Sequence, residues 1–172
     1  MHIIVIRGPS GVGKTSVAHR LPDYIHAECF SFDEVMKRHE LDMIMGGSIP
    51  AENFIKADEI VFSEIKTTAA DVVVLDCCLY HKEHLDDLQQ RAKELGTTIS
   101  IFTLDASLAV CLKRNSMRKN PMTNDDVEKV HSLVHALITG IVIPTRDKTV
   151  RDIVGEIARL YAKHKKKNVV GT

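Results

Sequence analysis

Residues 8–15 read Gly-Pro-Ser-Gly-Val-Gly-Lys-Thr and match G-x-x-x-x-G-K-[ST] at each fixed position. The flanks fit as well. An apolar, β-branched run, Ile3–Ile6, precedes the turn, and the amphipathic stretch Thr15-Ser16-Val17-Ala18 follows it, so the pattern joins a strand to a helix. Glycines at 8, 11 and 13 let successive backbone N–H groups turn inward at a helix N-terminus, where a Cβ would obstruct an anion. Lys14 adds a flexible point charge able to reach β- and γ-phosphates, and the Thr15 hydroxyl adds a ligand for a bridging Mg²⁺. Gly8, Ser10, Gly11, Val12, Gly13, Lys14, Thr15 and Ser16 are therefore the expected nucleotide-contacting residues.

The rest of the 172-residue chain is the right length for one domain, given roughly 100–200 residues per domain. Apolar runs recur at His26–Phe32, Val72–Leu75, Ile99–Leu104 and Ile141–Ile143. They lack strict alternation and are separated by helix-length stretches, the pattern of a parallel sheet covered on both faces. Helices are expected over about 33–45, 51–68, 82–95, 106–119, 124–137 and 149–164. The first helix, starting at the Gly-rich turn, should end early because Pro22 disfavours helical geometry at Leu21. The segment Met45-Gly46-Gly47-Ser48-Ile49-Pro50 reads as a break between helices, with Met43, Ile44 and Met45 expected to pack. The basic stretch Lys163–Lys167 reads as a solvated helix end.

With this turn and this strand pattern, the sequence resembles the small P-loop kinases: nucleotide-kinase, shikimate-kinase and gluconate-kinase-like proteins and AAA-type ATP-binding kinases of similar size. The likeness covers nearly the whole chain. It implies an α/β, three-layer fold with a five-stranded, mostly parallel sheet in the order 2-3-1-4-5. It also implies an acceptor-binding region over about 33–68 and a lid over about 114–127. ATP and Mg²⁺ are the implied cofactors, and the implied reaction is γ-phosphoryl transfer to a hydroxyl of a small molecule.

Further candidates follow from that likeness and from chemistry. Asp33, just after the second strand, stands where such kinases hold a carboxylate across from the loop, able to orient an acceptor hydroxyl and take its proton. Its alternative role, or that of Ser31, is to cap the next helix. Asp76 ends the run Val72–Leu75 at a carboxyl edge, suited to Mg²⁺ or to the acceptor. Arg114 and Arg118 are spaced i, i+4, so one helix would project both guanidinium groups from a single face as a lid pair that stabilises the transferring group. The final strand at Ile141–Ile143 would lead, by the same resemblance, into a loop that meets the adenine.

Other classes are disfavoured. Acidic and basic residues balance at 23 each, and five Phe, three Tyr and no Trp offer little for base stacking, so nucleic-acid binding is not expected. No apolar run approaches the roughly 18 residues of a membrane span, and the N-terminus lacks a signal-peptide pattern, so a cytoplasmic location is expected. Cys29, Cys77, Cys78 and Cys111 lack metal or disulfide spacing and read as reduced thiols. His131 and His135 lack the Glu of a zinc helix, and His81 and His84 read as surface or helix-start residues. No Gly follows Asp76 at the third position and no N-K-x-D is present, which disfavours a regulatory GTPase. Two alternatives stay open. One is a nucleotide-binding sensor or slow NTPase acting on a partner. The other, within kinases, is an antibiotic or nucleoside/nucleotide phosphotransferase, since Leu21–Asp33 is loosely similar to chloramphenicol phosphotransferase-like proteins. Lys37 and Arg38, one turn past Asp33, could contact an anionic acceptor, but Arg38 is the only arginine between Asp33 and Thr68, which favours an uncharged one.

Overall fold

A computed structural model describes residues 1–137 and 139–169, with side chains described up to Lys165. Five strands, β1 (His2–Arg7), β2 (Glu28–Ser31), β3 (Val72–Asp76), β4 (Thr98–Asp105) and β5 (Ile141–Pro144), form one sheet in the order β2-β3-β1-β4-β5. All four pairings are parallel, so the sheet has no antiparallel strand where the sequence left room for one. β1 lies at the centre and its register sets Ile3 beside Val73 and Ile6 beside Asp76.

Strand periodicity divides the core into two layers. Ile3, Val5, Val73 and Leu75 face one way, onto Phe32, Val35 and Met36 of α3 (Phe32–Arg38), Val61 and Ile65 of α4 (Ala51–Ile65) and Leu88 of α5 (Lys82–Glu94). Ile4, Ile6, Val72 and Val74 face the other way, onto Val17 and Ala18 of α1 (Lys14–Arg20) and Ile153, Val154 and Ile157 of α8 (Val150–Val169). With both faces covered, β1 buries Ile3 through Ile6 completely, which explains its unbroken apolar run. Helices α6 (Leu108–Ser116) and α7 (Asn124–Ala136) follow β4.

The departures from expectation have local causes. α1 does stop at Arg20, but Leu21 is itself helical at φ −61°, ψ −38°, and a short α2 (Pro22–Ile25) continues from it. Pro22 therefore breaks the helix by its missing N–H, not by pushing Leu21 into an extended conformation. α3 ends at Arg38, well before residue 45. Glu40 adopts φ 55°, with its N–H on Lys37 O and the Leu41 N–H on Met36 O at 2.8 Å, a Schellman ending that here uses no glycine. Residues 39–50 instead form a loop whose tip is a two-residue turn at Gly46-Gly47, both at positive φ, closed by Met45 N–H to Ser48 O at 2.8 Å. Met43 and Met45 do not pack but stand about two-thirds exposed, at 67% and 66%. At the other end of the chain, Lys163–Lys165 are exposed on α8, while the side chains of Lys166 and Lys167 lie outside the described residues.

Candidate functional site

All five strands end on the same edge of the sheet, the usual place for ligands in a parallel α/β fold. Between β1 and α1 the Gly8–Gly13 turn wraps the N-terminus of α1, with Gly13 as its N-cap at φ 106°. Gly11 is fixed by close approach. A Cβ there would lie 2.4 Å from Cys111 O, and its φ is +82°. From α6, Arg114 Nη1 donates to Val12 O at 2.9 Å, bracing the turn from outside. Ser10, Val12 and Lys14 are all nearly buried.

Lys14 Nζ donates to Pro9 O at 3.3 Å. Burial acts to lower its pKa, but Cys78, Asp76 and Asp33 around it outweigh that and leave it raised, so it is a cation at neutral pH. Asp76 is 1% exposed, and neither of its carboxylate oxygens has a hydrogen-bond partner. Burial raises its pKa, while Lys14 and Thr15 act the other way. A buried carboxylate with both oxygens free, beside a hydroxyl and a lysine, fits a divalent cation.

Lys14 and Thr15 border a cavity of ≈ 450 Å³. Ser10, Gly13, Lys14, Thr15 and Ser16 form its floor, and Asp33 and Arg118 also line it. Asp33 is free to do so because Ser31 caps α3: its hydroxyl accepts the Glu34 N–H at 3.4 Å. Asp76 lies beneath, next to Lys14. Gly8, Gly11, Val12 and Arg114 are outside the lining and shape the turn. The i, i+4 argument for the arginines does not survive, because α6 ends at Ser116. Arg118 sits beyond the helix and turns to the cavity, while Arg114 turns to Val12. The segment expected as a lid, about 114–127, covers the end of α6, the connection 117–123 and the start of α7, and Asn120 and Met122 of that connection also reach the cavity.

Several residues were not legible as site residues. Asp42, Phe54, Cys78 and Tyr80 line the cavity but belong to no sequence pattern. Arg7 is a fully buried organiser just before the turn. Its Nε donates to Leu79 O at 3.0 Å, Nη1 to Thr103 Oγ1 at 3.1 Å and Nη2 to Val134 O at 2.9 Å. These bonds hold the segment after Asp76, in which Leu79 takes the costly φ of 44°. A lone arginine at a strand end carries no sequence signal of that role.

The histidines also find specific places. His84 is not a surface residue but fully buried, 3.3 Å from Asp58 Oδ1 and stacked on Phe54 at 4.9 Å. His81 Nε2 bonds Ile49 O at 2.8 Å. His131 and His135 stack at 4.2 Å, and His135 pairs with Asp105 at 3.0 Å. Thr145, after β5, bonds back to Asp105 O through both its N–H and its hydroxyl. The cysteines are all free thiols.

A family model described as an AAA domain matches residues 3–139. The chain belongs to this AAA-domain family. Its fold is that of the small P-loop kinases, as three solved structures illustrate. The tunicamycin resistance protein of Deinococcus radiodurans is 24% identical, with 93% of this chain and 95% of that one covered and a TM-score of 0.68. A gluconokinase from Sinorhizobium meliloti 1021 is 16% identical over 96% and 97% of the two chains, with a TM-score of 0.69. Shikimate kinase from Acinetobacter baumannii, solved with shikimate, is 18% identical over 96% and 95%, with a TM-score of 0.63. No curated protein matches the sequence. No helix among the described residues is long and apolar enough to cross a membrane.

Proposed function

We propose that this AAA-domain protein is a phosphotransferase that moves the γ-phosphoryl group of ATP to a hydroxyl of a small molecule. The observation that carries this reading is the meeting of Lys14, Asp33 and Arg118 on one cavity, with the Asp76 carboxylate unpartnered beneath it. The turn's N–H groups and Lys14 bind the β- and γ-phosphates. Thr15 and Asp76 are the residues that would hold Mg²⁺, whose bound charge neutralises the phosphate oxygens.

Asp33 orients the acceptor hydroxyl and takes its proton as the acceptor oxygen bonds to the γ-phosphorus. The bond from that phosphorus to the β–γ bridging oxygen breaks, and the electron pair leaves with the diphosphate. Arg118 offsets charge on the transferring group, and Arg114 holds the turn in shape. The 117–123 connection acts as the lid.

The test is incubation with labelled ATP and a panel of nucleosides, sugars, acids and antibiotics. Transfer to an acceptor is expected in wild type, with loss in Asp33→Asn at nearly unchanged ATP affinity. Tight ATP binding with no transferred label, together with nucleotide-dependent capture of a protein partner, would instead favour a sensor.

A further inference from the structure

The acceptor side of the cavity is unsuited to an anion. Away from the phosphate turn and the lid, its charged side chains are Lys37 against Asp33 and Asp42, one cation facing two carboxylates. Arg38, the neighbour of Lys37, is turned onto Glu64 at 2.6 Å. Arg7 spends its guanidinium on three internal acceptors. Among the described residues, no guanidinium on this wall is left to form the bidentate contact that a carboxylate or phosphate on an acceptor would use.

Most of the remaining side chains are apolar, Met36, Ile44, Ile49, Phe54, Met122 and Val130, with Ser48, Cys78 and Tyr80 among them and Asn120 beside Met122. Of the polar groups, the Tyr80 hydroxyl is engaged within the protein. The Tyr80 hydroxyl accepts the Ile49 N–H at 3.2 Å and lies 3.4 Å from Ile49 O, and His81 takes the same carbonyl. Phe54 is held from behind by the stacked His84 ring and from the side by Tyr80 at 5.3 Å, edge to face. Against the face made by Met36, Ile49 and Phe54, a polyol or sugar acid would leave hydroxyls unpaired, which is costly. An aryl or alkyl body would not.

We infer that the acceptor is an uncharged hydroxyl compound with an apolar body, seated with the body against Phe54 and Met36 and the hydroxyl toward Asp33. This inference rests on the phosphotransferase reading and narrows its substrate class. Asp42 and Ile44 on the 39–50 loop are the specificity-determining positions for charge and apolar contact.

The experiment compares matched probes that share a body and differ in charge: 1-phenyl-1,2-ethanediol with mandelate, and cyclohexane-1,2-diol with 3,4-dihydroxycyclohexane-1-carboxylate. Binding to the full chain is read by ligand-observed NMR without nucleotide. Transfer from magnesium ATP is read separately by mass spectrometry. The neutral member of each pair is expected to bind about tenfold tighter or more, and Phe54→Ala to weaken the phenyl diol about 10–100-fold. Asp42→Lys, on an exposed loop, is expected to shift the neutral-to-anion ratio toward the anion by about tenfold, which keeps the test intact should Phe54→Ala misfold. Equal or tighter binding of the anionic member of each pair overturns the acceptor class and leaves the kinase reading standing. Absence of binding by every probe at millimolar concentration overturns it as well. Preferential binding of the neutral probes with no transfer to them or to any acceptor of the wider panel upholds the wall's preference and counts against the kinase reading.

Discussion

Two glycine-containing turns border the same cavity and are built in opposite ways. The Gly8–Gly13 turn is buried, pressed onto the Cys111 carbonyl and braced by Arg114. The 39–50 turn lifts Met43 and Met45 into solvent, and at Gly46 a Cβ would meet nothing within 4 Å. The proposed phosphotransfer would account for the difference. A triphosphate is the same in every reaction of this kind, so its cradle is preorganised. The acceptor side selects among molecules, and a loosely packed loop is suited to adapt and to close over one.

The largest expected contrast is catalytic. Lys14→Met in the rigid turn should lower kcat by at least about 10²–10³-fold, while Met45→Ser in the exposed loop should change it less than about tenfold. ADP release under saturating ATP checks both, with circular dichroism to establish that each variant is folded. A comparable loss from Met45→Ser would erase the distinction between the loops.

Next comes stability. Gly11→Ala forces a Cβ into the Cys111 carbonyl at positive φ and should cost about 3 kcal/mol or more. Gly46→Ala meets only the conformational penalty of the left-handed region, about 1–2 kcal/mol. Urea unfolding of the two variants measures the gap, and equal costs would contradict the rigidity assigned to the phosphate turn.

A smaller effect concerns the buried pair behind the acceptor wall. Burial pushes the Asp58 carboxyl up to about 6, against the opposing pull of His84 and with Asp87 adding to the rise. The ordinary unfolded value is about 3.9, so the folded chain holds more protons between these two pH values. The stability contributed by this residue is complete below about pH 4 and declines as pH rises through about 6. Asp58→Asn should remove that decline, roughly 1–3 kcal/mol, from melts recorded across pH 4–7. An unchanged profile would mean that Asp58 does not titrate in this window.

The same contrast explains what the sequence revealed. The phosphate turn was legible because its constraints are local: each glycine, Lys14 and Thr15 acts through its own backbone or its place at a helix start. The sheet order followed from the family resemblance that this turn opened. The resemblance pointed to a region over about 33–68, which holds Met36, Asp42 and Phe54, but the individual residues of the wall were not legible, because with Tyr80 and Met122 they come from five separate segments and no single one is diagnostic. α3 was drawn too long because Glu40 carries the left-handed cap that a glycine would have announced. His84 was read as a surface or helix-start residue; it does stand in the first turn of α5, but its burial was not legible because its partner Asp58 lies on another helix, 26 residues away in sequence.

Thermal protection by a non-hydrolysable magnesium ATP analogue tests the phosphate turn most directly. At about 100 times its dissociation constant the analogue should stabilise the protein by about 2.7 kcal/mol. For a chain of this size that is a rise in Tm of about 5–10 °C, dependent on Mg²⁺ and absent in Lys14→Met. A melting temperature that does not move, in wild type and variant alike, would contradict nucleotide binding at this turn and the chemistry built on it.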